Sequence, residues 1–158
     1  MAEILAIEND SFPTPWSPGL FQVEIANPIS RILVGKSGDR VGVAGYVVFW
    51  RVADEIHIHN IAVRRDLRGV GIATRLLASA IALSRPDGAR WVTLEVRRSN
   101  MAAQKLYERA GFSVQGVRRG YYTDTGEDAL IMTADLEKIP DPGQEQPGKC
   151  GRGNDRND

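Results

Sequence analysis

Between Asn60 and Thr74 the chain changes period within a few residues. The β-like run Ile61, Ala62, Val63 leads through Arg68-Gly69-Val70-Gly71 directly into a helical pattern. From Gly71 to Ser84 the apolar positions Ile72, Leu76, Leu77, Ala80, Ile81 and Leu83 form one stripe, and Pro86 with Gly88 closes it. A strand that turns on glycines into a helix exposes backbone N–H groups at the positive end of the helix dipole, where phosphate is stabilised. Without a ligand, Gly69 and Gly71 make a tight strand-to-helix connection and nothing more. Two other phosphate patterns fail here. The dinucleotide fingerprint needs a third glycine where the chain has Thr74, and no acidic residue stands on a following parallel strand as ribose partner. Gly35-Lys36-Ser37 ends like a P-loop, but Ser30 occupies the position of the earlier glycine and no helix pattern follows, so the piece reads as a hairpin turn.

Around this segment the other elements fall into order. Ser30 to Gly35, Val41 to Val52 and Ile56 to Val63 are β-like, separated by Ser37-Gly38-Asp39 and Ala53-Asp54-Glu55, and form an antiparallel meander. After the helix, Trp91 to Arg97 is a strand, Asn100 to Ala110 a helix closed by Gly111, and Phe112 to Val117 and Ala129 to Leu136 two more strands. The order βββαβαββ specifies a mixed α/β sheet in a three-layer arrangement, a β-meander followed by αβαββ. The first 28 residues give no clean period; a short helix after Ser17 is expected to pack Leu20, Phe21 and Val23.

Composition removes whole classes of function. At 158 residues, 42% hydrophobic and 25% charged, the chain suits one globular domain, placed at residues 1–139. Residues 140–158 hold no aliphatic or aromatic side chain and read as a disordered Gly/Pro/charged tail. Twenty Lys and Arg balance twenty Asp and Glu, so no overall field draws the chain to nucleic acid or an anionic membrane. The uncharged run Val41–Trp50 is far short of the ~20 residues that span a bilayer, and Met1–Asp10 lacks the pattern of a signal peptide, so a cytoplasmic protein is expected. Cys150 stands alone, which rules out an internal disulfide and a cysteine-based metal site; in the tail it reads as inert. His57 and His59 share a strand face but have no third ligand nearby, so no metal is expected, and they read as acceptor-pocket or surface residues. Arg97-Arg98 and Arg118-Arg119 lack the aromatic companions of an RNA-binding module.

Two further residues carry chemistry. Alternation along Trp91–Arg97 puts Val92, Leu94 and Val96 on one side and Trp91, Thr93, Glu95 and Arg97 on the other. On the next helix Ala103, Leu106, Tyr107 and Ala110 form the inward stripe. Glu95 and Tyr107 can then meet at the sheet opening; alternatively, Glu95 pairs with Arg97 or Arg98 and Tyr107 is core.

Arg68-x-x-Gly71-x-Ala73, following Ile61-Ala62-Val63, resembles the acyl-CoA signature of the GNAT N-acetyltransferase superfamily, whose fold has the same element order preceded by one or two helices. The likeness runs from about Trp16 to Leu136. Asn60 to Val63, Leu94-Glu95-Val96-Arg97 with Ser99-Asn100, Leu106-Tyr107 with Gly111-Phe112, Arg119-Gly120-Tyr121-Tyr122 and Glu127-Asp128-Ala129 resemble the branch of RimI-type ribosomal-protein-alanine N-acetyltransferases and relatives that acetylate protein N-termini. The resemblance implies acetyl-CoA as co-substrate, no metal, and a protein N-terminus as acceptor. It implies Glu95 as proton acceptor and Tyr107 as proton donor. It assigns Ile61, Ala62 and Val63 to the acetyl and pantetheine end, Arg68, Gly69, Val70, Gly71, Ile72, Ala73 and Thr74 to the pyrophosphate, and Asn100 to the cofactor as well. Tyr121 and Tyr122 resemble the loop flanking the acceptor peptide. An α-amino group, with a pKa of about 8 against about 10.4 for lysine, gives a glutamate the easier deprotonation. The N-terminal alanine of a small-subunit ribosomal protein is the first acceptor expected, by direct attack in a ternary complex. A broad set of protein N-termini, a small amine or lysine acceptor, and a silent acyl-CoA-binding module remain as alternatives.

Overall fold

In the computed structural model, which describes residues 1–36 and 42–140, the chain forms α1 (Ala2–Ser11), α2 (Pro18–Ala26), β1 (Ser30–Lys36), β2 (Val43–Val52), β3 (Glu55–Val63), α3 (Ile72–Ser84), β4 (Trp91–Arg97), α4 (Met101–Arg109), β5 (Ser113–Tyr122) and β6 (Glu127–Asp135). The expected turn at 37–39 lies outside the described residues, and so does the tail beyond Pro140 with Cys150. The six strands form one sheet in the order β1-β2-β3-β4-β6-β5. Every neighbouring pair is antiparallel except β3 and β4. A parallel pair needs a long crossover, and α3 with its glycine turn supplies it.

Local signals set the helix ends. Ser17 caps α2 by accepting from the Leu20 N–H at 3.2 Å, with Pro18 in the first turn. Asn100 caps α4 by accepting from the Ala103 N–H at 3.1 Å. Beyond α4, Gly111 takes φ +92°, a conformation that favours glycine.

The sheet is buried on both faces. On one side α3 and α4 pack Leu77, Ala80 and Tyr107 against Val47, Ile58 and Leu94. On the other α1 and α2 pack Ile4, Ile7 and Phe21 against Tyr46, Val48 and Ala62. This is the three-layer arrangement expected. Two expectations for the amino-terminal region need correction. The stretch before Trp16 contains α1, whose amphipathic signal is weak because the carboxylate of Glu8 lies among its buried residues. In α2 only Phe21 of the three named residues is buried; Leu20 and Val23 are 38% and 61% exposed, because this two-turn helix offers the sheet a narrow stripe.

Candidate active site

β3 and β4 pair only over Glu55–Ile58 and Trp91–Leu94, yet β3 continues to Val63 and β4 to Arg97. Past Ile58 and Leu94 the strands part and leave a fork in the middle of the sheet. Asn60, Ile61, Ala62 and Val63 remain paired with β2 through Val48, Val47, Tyr46 and Gly45, so their second edge lines the fork. Free backbone groups on such an edge suit an extended ligand carrying amides, as an added strand would. Gly45 allows the close approach behind this edge: a Cβ there would lie 2.6 Å from the Ala62 carbonyl oxygen.

The fork opens toward the glycine turn. Gly69 and Gly71 have φ of +80° and +85°, and a Cβ at either would meet nothing within 4 Å. Arg75 N–H donates to the Gly71 carbonyl at 3.1 Å, so the amides of Ile72, Ala73 and Thr74 precede the first closed helical turn and point out of the helix end. An open cradle of backbone donors beside a free strand edge fits a diphosphate joined to a pantetheine chain, as in acetyl-CoA. Arg68 itself is tied back: its Nε donates to the Val63 carbonyl at 3.0 Å and its guanidinium to Ser11 Oγ at 2.9 Å, which fixes the turn to the end of α1. Val70 is exposed in the turn. The Asn100 side chain serves as the cap of α4.

Glu95 projects to the α1–α2 side of β4, opposite the buried Val92, Leu94 and Val96. It pairs with neither Arg97 nor Arg98. Its Oε2 lies 2.7 Å from His57 Nε2 and its Oε1 3.5 Å from the Arg118 guanidinium, and its side chain is 10% exposed. The hydrogen bond from His57 holds the carboxyl below the usual range; burial opposes this, and the charge of Arg118 adds to it. The His57 ring packs tilted against His59 at 4.4 Å and the His59 ring tilted against Trp50 at 4.1 Å, while the Trp50 indole N–H donates to Glu24 of α2 at 2.7 Å. Burial, then His57, pushes the His59 imidazole down.

Tyr107 lies on the opposite face, in the core under α3 and α4 and 5.7 Å from the Phe112 ring. Glu95 and Tyr107 therefore do not touch; the fork is the passage between their two faces. Burial pushes the Tyr107 phenol well above its ordinary value and keeps its proton in place. Tyr121 and Tyr122 end β5, which runs five residues beyond the expected strand, so they belong to a strand end rather than a loop. Their rings meet edge-on at 5.2 Å, Arg97 lies over Tyr122 at 3.9 Å and Arg118 over Tyr121 at 5.5 Å. Burial pushes the Tyr122 phenol up to about 12, against the opposing charge of Arg97.

Sequence reasoning missed a bridge over this face. Arg97 binds Asp124 at 2.7 Å, and Asp124 accepts from Thr14 Oγ1 at 2.7 Å, joining the loop between α1 and α2 to the turn between β5 and β6. Neither Thr14 nor Asp124 stands in a motif; only the spacing of the three prolines around Thr14 marks that loop as stiff.

A family model described as acetyltransferase (GNAT) family matches residues 1–112. A relative from Bacillus subtilis (strain 168), provisionally named a [ribosomal protein bS18]-alanine N-acetyltransferase, is 42% identical over 130 residues, covering 82% of this chain and 85% of its own. The N-alpha-acetyltransferase RimI of Mycobacterium tuberculosis (strain ATCC 25618 / H37Rv) is 39% identical over 123 residues, covering 77% of this chain and 76% of its own. The crystal structure of a ribosomal-protein-alanine N-acetyltransferase from Escherichia coli superposes with a TM-score of 0.76 at 33% identity, covering 85% of this chain and 86% of that one.

Proposed function

Because this chain belongs to the acetyltransferase (GNAT) family, we propose that it acetylates the N-terminal α-amino group of a protein, that of an alanine on a small-subunit ribosomal protein, by direct attack in a ternary complex in the cytoplasm. The observation that carries this reading is the ionised, nearly sealed Glu95 at the mouth of the fork, on a face bordered by Tyr121 and Tyr122 and closed over by the Thr14–Asp124 bridge.

Acetyl-CoA, when bound, supplies the activated acetyl thioester. The free edge of Ile61, Ala62 and Val63 holds its extended amide arm, and the turn from Arg68 to Thr74 its diphosphate. Asn100 acts here through the helix start it caps. Glu95 takes a proton from the acceptor ammonium at a carboxylate oxygen, freeing the nitrogen lone pair. Tyr107 holds a proton at its phenolic oxygen for the departing sulfur, and its burial keeps the phenol protonated. Tyr121 and Tyr122 flank the entering peptide.

A broader set of N-termini is the second reading, favoured by the general name of the Mycobacterium tuberculosis relative. Mass spectrometry separates the two. Peptides beginning Ala, Ser, Met and Thr, and one with only a lysine amine, are incubated with acetyl-CoA. Product on the alanine peptide alone supports the ribosomal acceptor, and comparable rates on several N-termini the broader enzyme. Product on the lysine peptide alone contradicts both. Glu95→Gln is expected to lower turnover by about 100-fold or more, the usual contribution of a positioned base; turnover within a few-fold of the parent removes Glu95 from its role.

A further inference from the structure

We infer that His57 is a positioning residue for the reaction: its Nε2–H fixes one oxygen of Glu95 so that the other meets the incoming amine. The inference rests on the reading of Glu95 as proton acceptor.

Both oxygens of Glu95 are engaged, but unequally. His57 lies 2.7 Å from Oε2, and its ring is wedged against His59 on the same strand. Arg118 lies 3.5 Å from Oε1, its side chain is 53% exposed, and its guanidinium also spreads over Tyr121. A long, exposed ion pair is worth little, so Arg118 swings away at small cost. An ammonium arriving from the acceptor therefore takes the place of the guanidinium at Oε1, a cation replacing a cation. Its proton passes to Oε1 and leaves the nitrogen lone pair free, while His57 keeps its Nε2 proton throughout.

The test compares His57→Gln and His57→Ala with the parent on an N-terminal-alanine peptide at pH 8.5. A Gln amide reproduces the donor to Oε2. His57→Gln is expected within about threefold of the parent in kcat, and His57→Ala about 100-fold lower, the cost of a catalytic group left loose, with the peptide KM little changed. The chain has two histidines, so imidazole 15N spectra are readily assigned, and the His57 proton facing Glu95 is expected on Nε2. An alanine variant as active as the parent, a glutamine variant as slow as the alanine one, or a proton on Nδ1 alone would each overturn the inference. Glu95→Gln is measured beside them. If it stays active the base assignment fails, whereas an inactive Glu95→Gln with a fully active His57→Ala leaves the base and removes only His57.

Discussion

Glu8 is the most consequential polar residue outside the site. It is 1% exposed, and its carboxylate gathers three donors from three parts of the chain. The Trp16 N–H reaches Oε1 at 2.7 Å, the Asn60 amide lies 3.0 Å from Oε2, and the Tyr46 hydroxyl donates to Oε2 as well. Burial, then Glu8 itself, pushes the Tyr46 phenol far up, so it remains a donor at any ordinary pH. Glu8→Ala strands the Tyr46 hydroxyl and the Asn60 amide in the interior, since Tyr46 is 0% and Asn60 7% exposed. At about 1–3 kcal/mol for each buried donor left without a partner, the two together cost about 2–6 kcal/mol. In a chain of this size each kcal/mol moves Tm by about 2–4 °C, so Glu8→Ala should melt roughly 4–24 °C below the parent. Because Asn60 begins the free edge of the fork, acetyl-CoA affinity should fall as well. Thermal melting followed by circular dichroism checks the first expectation, and calorimetric titration with acetyl-CoA the second. A double-mutant cycle with Tyr46→Phe isolates the shared bond and should show a coupling of about 1 kcal/mol or more. A melting point within about 2 °C of the parent, or strict additivity in the cycle, would refute the reasoning.

Three shorter expectations follow from the site. Tyr107→Phe should lower kcat about 100-fold as the proton donor is lost while leaving the fold intact; thiol-release kinetics at parental rate would contradict that role. Gly71→Val places a branched side chain at φ +85°, at a cost of roughly 1–2 kcal/mol, and sets it in the open cradle of the turn. Its KM for acetyl-CoA should rise while the peptide KM holds, and equal rises in both would count against a phosphate cradle. Hydrogen bonds from Arg97 first and Thr14 second depress Asp124 to about 2. A depressed carboxyl stabilises the fold above its unfolded value of about 3.9 and loses that contribution as pH falls through about 2. Asp124→Asn should thus melt below the parent at pH 7 and converge with it near pH 2, whereas a gap unchanged by acid would contradict the bridge.

The helices and strands with strong periods were legible in the sequence. The strand expected over Trp91–Arg97 matches to the residue, and the glycine turn is legible because positive φ beside a helix start leaves a compositional mark. α1 was not legible. Its inward face carries Glu8 among Ile4 and Ile7, and a buried carboxylate is invisible to a pattern that equates burial with apolarity until Tyr46, Asn60 and Trp16 are known to surround it. β5 reads in the sequence only as far as Val117 because its outer half is exposed and basic, yet Arg118 and Tyr122 continue its pairing with Ala129 and Glu127. In the site, alternation alone put Glu95 on the right face. It gave no sign that His57 rather than a neighbouring arginine would hold that carboxylate, since this partnership depends on which strands lie side by side.

The fork depends on one irregularity that no local pattern announces. Ile56 and Ile58 point into the core under α3, so His57 points to the α1–α2 side. Strict alternation would then put His59 with His57, and Asn60 and Ala62 back under α3. Instead the pairing of β2 with β3 steps from Phe49–Ile58 to Val48–Asn60, leaving His59 as an extra residue in a bulge. His59 stays between the rings of His57 and Trp50, and Asn60 follows it onto the same side, where it meets Glu8. Ala62 then packs under α1, and Ile61 and Val63 turn toward α3. The bulge thus leaves the histidine pair where alternation puts it and turns Asn60 to the same side, anchoring the free edge of β3 to Glu8. Bulges increase local twist, and this one comes where β3 stops pairing with β4, so the irregularity that flips the side chains also marks where the sheet opens.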